Sequence, residues 1–98
     1  MTERAQLTIQ DNPDLRRYEA LDEAGVVAGF AEYRRRGDLV VFTHTEVDDA
    51  FEGQGVGSTL VRAALDDVRE AGLRVRPLCP FFKDYIDRHP EYQDLLAA

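Results

Sequence analysis

Tryptophan is absent from this 98-residue chain, cysteine occurs once and histidine twice. A lone Cys79 excludes an internal disulfide framework, and together with His44 and His89 it cannot complete a four-ligand zinc cluster. Long apolar runs are also missing. The best of them, residues 39–42, falls far short of the roughly 20 residues a membrane-spanning helix needs. Met1-Thr2-Glu3-Arg4 leads into no apolar signal-peptide segment, so a cytoplasmic address is expected. Positive charge is scarce: 12 Lys and Arg against 19 Asp and Glu leave a net charge of −7, which repels nucleic acid and anionic membranes. Neither is expected as a partner. The acidic set Glu46, Asp48, Asp49 and Glu52 lacks the alternating ligands and bidentate end of a calcium loop, so no metal is expected. With no repeat, low-complexity stretch or linker, residues 1–98 read as one domain.

What is present is an ordinary globular mixture, 44% hydrophobic and 32% charged. Residues 7–9 and 16–21 are short strand candidates. The turn Asp22-Glu23-Ala24-Gly25 leads to a strand over residues 26–33, rich in β-branched and aromatic side chains. After Arg36-Gly37-Asp38 comes the best strand, residues 39–47. Alternation puts Leu39, Val41, Thr43, Thr45 and Val47 on one face and Val40, Phe42, His44 and Glu46 on the other. The period then becomes helical. Val56, Leu60, Ala64 and Val68 recur every fourth residue, Val61 and Leu65 widen the stripe, and Arg62, Asp66, Arg69 and Glu70 lie outside it. Gly72 stops this helix, residues 73–78 alternate as a strand, Pro80 opens a second helix, and a last short helix covers residues 91–96. Strand, amphipathic helix and strand make a right-handed βαβ unit with parallel strands. The expected class is α+β: an antiparallel meander followed by a βαβ unit in one mixed sheet, with C-terminal helices.

Between the best strand and the long helix stands Glu52-Gly53-Gln54-Gly55-Val56-Gly57-Ser58-Thr59. Its glycines let backbone approach a ligand, and the unpaired N–H groups of the helix start face outward, which suits an anion. A Walker A loop needs four residues between its glycines and then Lys. Gly53 and Gly57 enclose three, and Ser58 follows. A dinucleotide fingerprint wants G-x-G-x-x-G at the first strand, whereas this is G-x-G-x-G after several strands.

Val47 followed by Gly53-Gln54-Gly55-Val56-Gly57 and Leu60 resembles the acyl-coenzyme A loop of the GNAT N-acetyltransferases, Arg/Gln-x-x-Gly-x-Gly/Ala. Gly55 and Gly57 match its glycines, and Glu52 departs from it at the Arg/Gln position. His44-Thr45-Glu46-Val47, Pro77-Leu78-Cys79-Pro80 and the stretch from Tyr85 through His89-Pro90-Glu91-Tyr92 are similar to the compact stand-alone members of that superfamily. The likeness spans roughly residues 25–95. It implies a GNAT-like fold whose parallel strands splay apart, so that pantetheine pairs with backbone near Val47. The pyrophosphate would rest on the amides of Gln54, Gly55, Val56, Gly57 and Ser58, with Thr59 completing the loop. It also implies acetyl-CoA as co-substrate and an amine acceptor, a small molecule or a peptide. A chain of this length has no room for the N-terminal helix pair and final strands that shape the acceptor site in larger members.

Acetyl transfer to an amine needs a neutral nucleophile, donors for the thioester oxyanion and a proton for the leaving thiolate. An alkylamine with a pKa near 10.4 is almost wholly protonated at neutral pH, at a cost of roughly 4 to 5 kcal/mol, so a base or water chain is wanted. His44 and Glu46, two residues apart on one strand face, are the candidates, and the oxyanion would take the N–H of Val47 or its neighbour. Tyr85 or Cys79 would protonate the thiolate. Each has a structural reading beside the catalytic one: His44 as a packed strand residue, Cys79 as a small buried hydrophobe and Tyr85 as core with Phe82 and Ile86. His89, beside Pro90, reads as a helix-end capping cation or a surface residue. Arg34-Arg35-Arg36 reads as a solvated hairpin tip, or as a contact for the nucleotide's phosphate. The leading expectation is an acetyl-CoA-dependent N-acetyltransferase with direct transfer to a cationic amine. The alternative is a non-catalytic CoA-binding or protein-interaction module.

Overall fold

The protein is described by a computed structural model covering residues 6–97. Its five strands lie in one sheet in the order β1 (Thr8–Asn12), β2 (Arg17–Leu21), β3 (Val27–Arg36), β4 (Leu39–Val47) and β5 (Arg74–Pro77). The first four pair antiparallel, and β5 joins β4 in parallel after the crossover helix α1 (Val56–Glu70). Helix α2 (Pro80–Arg88) and a 3-10 segment (Pro90–Leu95) complete the chain. The mixed α+β sheet and the order of elements are those that the residue pattern predicts.

Helix α1 ends as the sequence dictates. Gly72 adopts φ 72°, its N–H donates to the Arg69 carbonyl, and the Leu73 N–H donates to that of Val68, which is the Schellman arrangement. The apolar stripe of α1, from Val56 to Val68, is fully buried. It packs on a sheet face of small residues, Ala20, Gly29 and Ala31. A Cβ on Gly29 would lie 2.8 Å from the Glu46 carbonyl oxygen and 3.0 Å from a Val56 methyl, so glycine sets how closely helix and sheet approach. From the other end, α2 stacks Phe82 on Phe42 at 4.0 Å and 12°.

One expectation about β4 fails. Tyr33 pairs with Phe42 and Glu32 with His44, so Thr43 is an extra, bulged residue. A bulge shifts the alternation by one. Val40 and Phe42 therefore face the helices, and beyond the bulge so do Thr45 and Val47. Of the four residues expected together only His44 and Glu46 lie on the opposite face, which they share with Leu39 and Val41 from before the bulge and which among the described residues no element covers.

Candidate active site

The pairing of β4 with β5 stops early. It runs from Leu39–Arg74 to Phe42–Pro77, where the Phe42 carbonyl accepts both the Leu78 and Cys79 amides at 3.0 and 2.9 Å. Pro80 then starts α2, with Cys79 as N-cap, and the chain turns off the sheet. Residues 43–47 of β4 run on with no partner from β5, and the two strands part as a wedge.

Beside the wedge stands the glycine loop. Asp48 accepts the Ala50 amide at 2.9 Å and caps a single 3-10 turn, Asp49–Phe51. Gly53 and Gly55 adopt φ 78° and 75°, the left-handed region that a side chain disfavours. Helix α1 starts at Val56 with no side-chain cap and no acid in its first turn, so its leading amides are offered to a ligand. The amides of Gly55, Val56, Gly57 and Ser58 form this set. Two of the expected loop positions use theirs internally: Gln54 donates to the Phe51 carbonyl at 3.3 Å and Thr59 to that of Gly55 at 3.0 Å. Glu52 is exposed at the foot of the loop.

Cys79 is 4% exposed at the apex of the wedge, its Sγ 3.4 Å from the Thr45 hydroxyl. Both lie on the helix side of the sheet. His44 and Glu46 stand together on the open face, with Nε2 and Oε2 3.7 Å apart and both side chains more than half exposed. The His44 ring lies 6.2 Å from that of Phe30. A cleft of about 380 Å³ adjoins them, lined by Phe30, Glu46, Val47, Asp48 and Asp49. Thus the end of β4 has the Thr45 hydroxyl and the neighbouring Cys79 thiol on one side and an imidazole and carboxylate on the other, with the Val47 edge that β5 leaves unpaired between.

Tyr85 belongs to a different group. It lines a cleft of about 420 Å³ between α1 and α2 with Ser58, Arg62 and Arg88. Burial raises its phenol above the ordinary value, partly opposed by the Arg62 charge, so the proton is held firmly. His89 stacks on the ring at 3.8 Å, and its Nδ1–H donates to the Tyr85 carbonyl at 2.7 Å, the capping role that the sequence suggests. Ser58 connects this cleft to the glycine loop. Arg34, Arg35 and Arg36 do not reach it: they end β3 opposite Val41, Val40 and Leu39, six to eight residues and about 20 to 25 Å of strand from Val47. Contact of that run with a phosphate on the loop is ruled out.

Sequence reasoning misses the Thr45–Cys79 contact, because the bulge that turns Thr45 inward has no local signature. It also misses Phe81, 44% exposed, whose ring would meet a Cβ on Gly57 at 2.6 Å.

Comparison with known proteins is consistent with this geometry. The chain is 38% identical over 52 residues to Protein NATD1 of Homo sapiens, a match covering 53% of this chain and 46% of that protein. Protein NATD1 of Xenopus tropicalis is 40% identical over 47 residues, covering 48% of this chain and 43% of its own length. The chain thus spans about half the length of the curated relatives it matches. A GCN5-like protein of Staphylococcus aureus, solved by NMR, superposes with a TM-score of 0.69 at 24% identity, covering 99% of this chain and 92% of its own. A GNAT family N-acetyltransferase of Escherichia coli, crystallised with CoA, gives 0.61 at 22% identity, covering 79% and 63%. Both share the fold. Residues 17–95 match the family model of the GCN5-related N-acetyltransferases, and with its splayed strands and uncapped glycine loop the chain belongs to that family.

Proposed function

We propose that this protein binds acetyl-CoA and transfers the acetyl group directly to an amine. The observation that carries the reading is the β4–β5 wedge, closed at Phe42 and flanked by the uncapped start of α1. The pantetheine arm would lie along the unpaired edge of residues 43–47 like an added strand, and the pyrophosphate on the amides of Gly55, Val56, Gly57 and Ser58. Arg62, beside Ser58, supplies positive charge for the nucleotide end, while Arg88 in the same cleft is paired with Asp84 at 3.6 Å.

The acceptor amine would enter from the open face. His44 and Glu46 take the proton released as nitrogen attacks the thioester carbonyl, and backbone N–H at Val47 stabilises the oxyanion. As the C–S bond breaks, the thiolate takes a proton from Cys79 at the apex, with Tyr85 as the second donor on the nucleotide side. Glu46, Asp48 and Asp49 around the acceptor cleft favour a cationic amine. No helix of the described residues is long and apolar enough to cross a membrane, and we retain the cytoplasm as the proposed location.

The test is binding followed by turnover. CoA at a hundredfold excess over its dissociation constant should stabilise the protein by about 2.7 kcal/mol. Ser58→Glu, an exposed change that sets a like charge on the first turn of α1, should remove this stabilisation. No melting shift with millimolar CoA would sink the proposal. CoA binding without acetylation of any amine in a panel of polyamines, amino sugars and peptides would favour the non-catalytic module instead.

A further inference from the structure

The open face of the sheet is electrically divided. At its far end two rows cross the strands: Arg34 beside Val41 beside Arg76, and Arg36 beside Leu39 beside Arg74. Paired residues in a sheet point to one side, so four arginines surround two half-buried aliphatic side chains. Arg74 donates to the Leu96 carbonyl at 2.8 Å. Arg34, Arg36 and Arg76 enter no ion pair among the described residues, in a chain with 19 carboxylates. At the near end, about 15 Å along β4, stand Glu46, Asp48 and Asp49 around the acceptor cleft. Arg17 also lines that cleft, but its charge is neutralised by Glu19 at 2.7 Å, and it lies 4.5 Å from the centre of the Phe30 ring.

We propose that this face docks an acceptor polypeptide in extended form, with a lysine at the Glu46 end and acidic residues, about five positions away, between the arginine rows. The assignment rests on the acetyltransferase reading above. Charge complementarity selects the occupant. A nucleic acid that satisfied the arginines would carry its phosphates onward into the Glu46, Asp48 and Asp49 cleft, whereas a peptide changes sign along its length as this face does. Leu39 and Val41 between the arginines take an apolar side chain from the acidic segment, and the stems of Arg34 and Arg76 extend that apolar floor.

The probe is a fluorescein-labelled twelve-residue peptide with one lysine spaced five residues from a run of four glutamates, in both orders. Binding is read by anisotropy without acetyl-CoA, which tests the surface alone. One order should bind, more weakly as salt rises, and at least tenfold better than its glutamine-for-glutamate control. The Arg34→Glu/Arg76→Glu double variant should lose at least tenfold and regain affinity for a peptide carrying a lysine run instead. Arg34→Gln/Arg76→Gln, with a normal melting curve, guards against an effect of folding. In acetyl transfer, the preference for the peptide over a simple alkylamine should fall at least tenfold in these variants through KM, with kcat retained. Equal binding of the glutamine control, indifference to the arginine changes, or tighter binding of a twelve-nucleotide single-stranded RNA overturns the inference. So does a bound peptide that is never acetylated while the alkylamine is. Absence of turnover with every amine strikes at the acetyltransferase reading itself.

Discussion

Cys79 is the residue whose two readings the structure draws together, since it is buried like a core side chain and yet touches Thr45 at the apex of the wedge. Thioester exchange onto it would be nearly neutral in energy, and pantetheine already holds the acyl group, so direct transfer gains more from positioning. Cys79→Ser should fold, bind CoA and keep activity within about tenfold, well short of the 10²–10⁴ that a sole general acid supplies. Intact mass after incubation with acetyl-CoA checks this, and a stoichiometric acetyl adduct at Cys79 discharged by amine would reverse it. Glu52 acts at longer range. It is exposed at the foot of the glycine loop, where one screened carboxylate opposes several amide donors. Glu52→Gln should tighten CoA binding a few-fold by calorimetry, more at low ionic strength, and an unchanged affinity would mean that the carboxylate faces away from the phosphates. Both positions are singled out by the sequence as candidates. Their surroundings are not, because a bulge at Thr43 turns Thr45 toward Cys79, 34 residues away in the chain.

Two glycines show how differently elements tolerate the same change. Gly29 lies under α1, and a methyl there meets the Glu46 carbonyl at 2.8 Å, an atom fixed in β4. Gly57 lies in the first turn of α1, and its methyl meets the edge of the half-exposed Phe81 ring, which can swing aside. Gly29→Ala should therefore cost about 1 to 3 kcal/mol in urea denaturation. Gly57→Ala should stay within about 1 kcal/mol of wild type, since the gain in helix propensity offsets the displaced ring. Equal losses would show that helix and sheet can slide apart. The boundaries of α1 and β4 are readable because periodicity, a stop glycine and the β-branched run of β4 all act locally. The change of face within β4 is not, because a bulge answers to its partner strand.

The molecule as a whole is tied by tyrosines reaching carboxylates on α1. Tyr18 of β2 donates to Asp67 at 2.6 Å, and Tyr92 of the C-terminal segment donates to Asp66 at 2.7 Å. Arg69 adds a two-pronged contact with Asp94. Burial, then the hydrogen bond to Asp66, pushes the Tyr92 phenol up to about 12, and burial with the hydrogen bond to Asp67 raises Tyr18 further. A raised phenol stabilises the fold fully below its ordinary value of 10 and loses that contribution as pH climbs through the raised one. The urea midpoint should thus hold to about pH 10 and fall steeply from there toward 12, with Tyr92→Phe flattening the decline and costing about 1 kcal/mol at pH 8. At the acid end Glu19 works in reverse. Its burial alone would raise the carboxyl, but hydrogen bonds from Arg17, Gln10 and Asn12 outweigh this and hold it low, so its contribution persists until pH drops below the ordinary carboxylate range.

The sequence alone determined the order of strands and helices, the glycine loop and the family likeness, because each follows from patterns spanning a few neighbouring residues. It also placed His44 and Glu46 on one strand face, since two residues apart is one pleat. Tertiary structure decided the rest. Where β5 leaves β4, which face of the sheet stays open, how Thr43 turns Thr45 toward Cys79, and how arginines from three strands gather at one end all depend on pairings between distant segments. Register across strands comes from packing and from closing hydrogen bonds, which no single stretch of chain encodes.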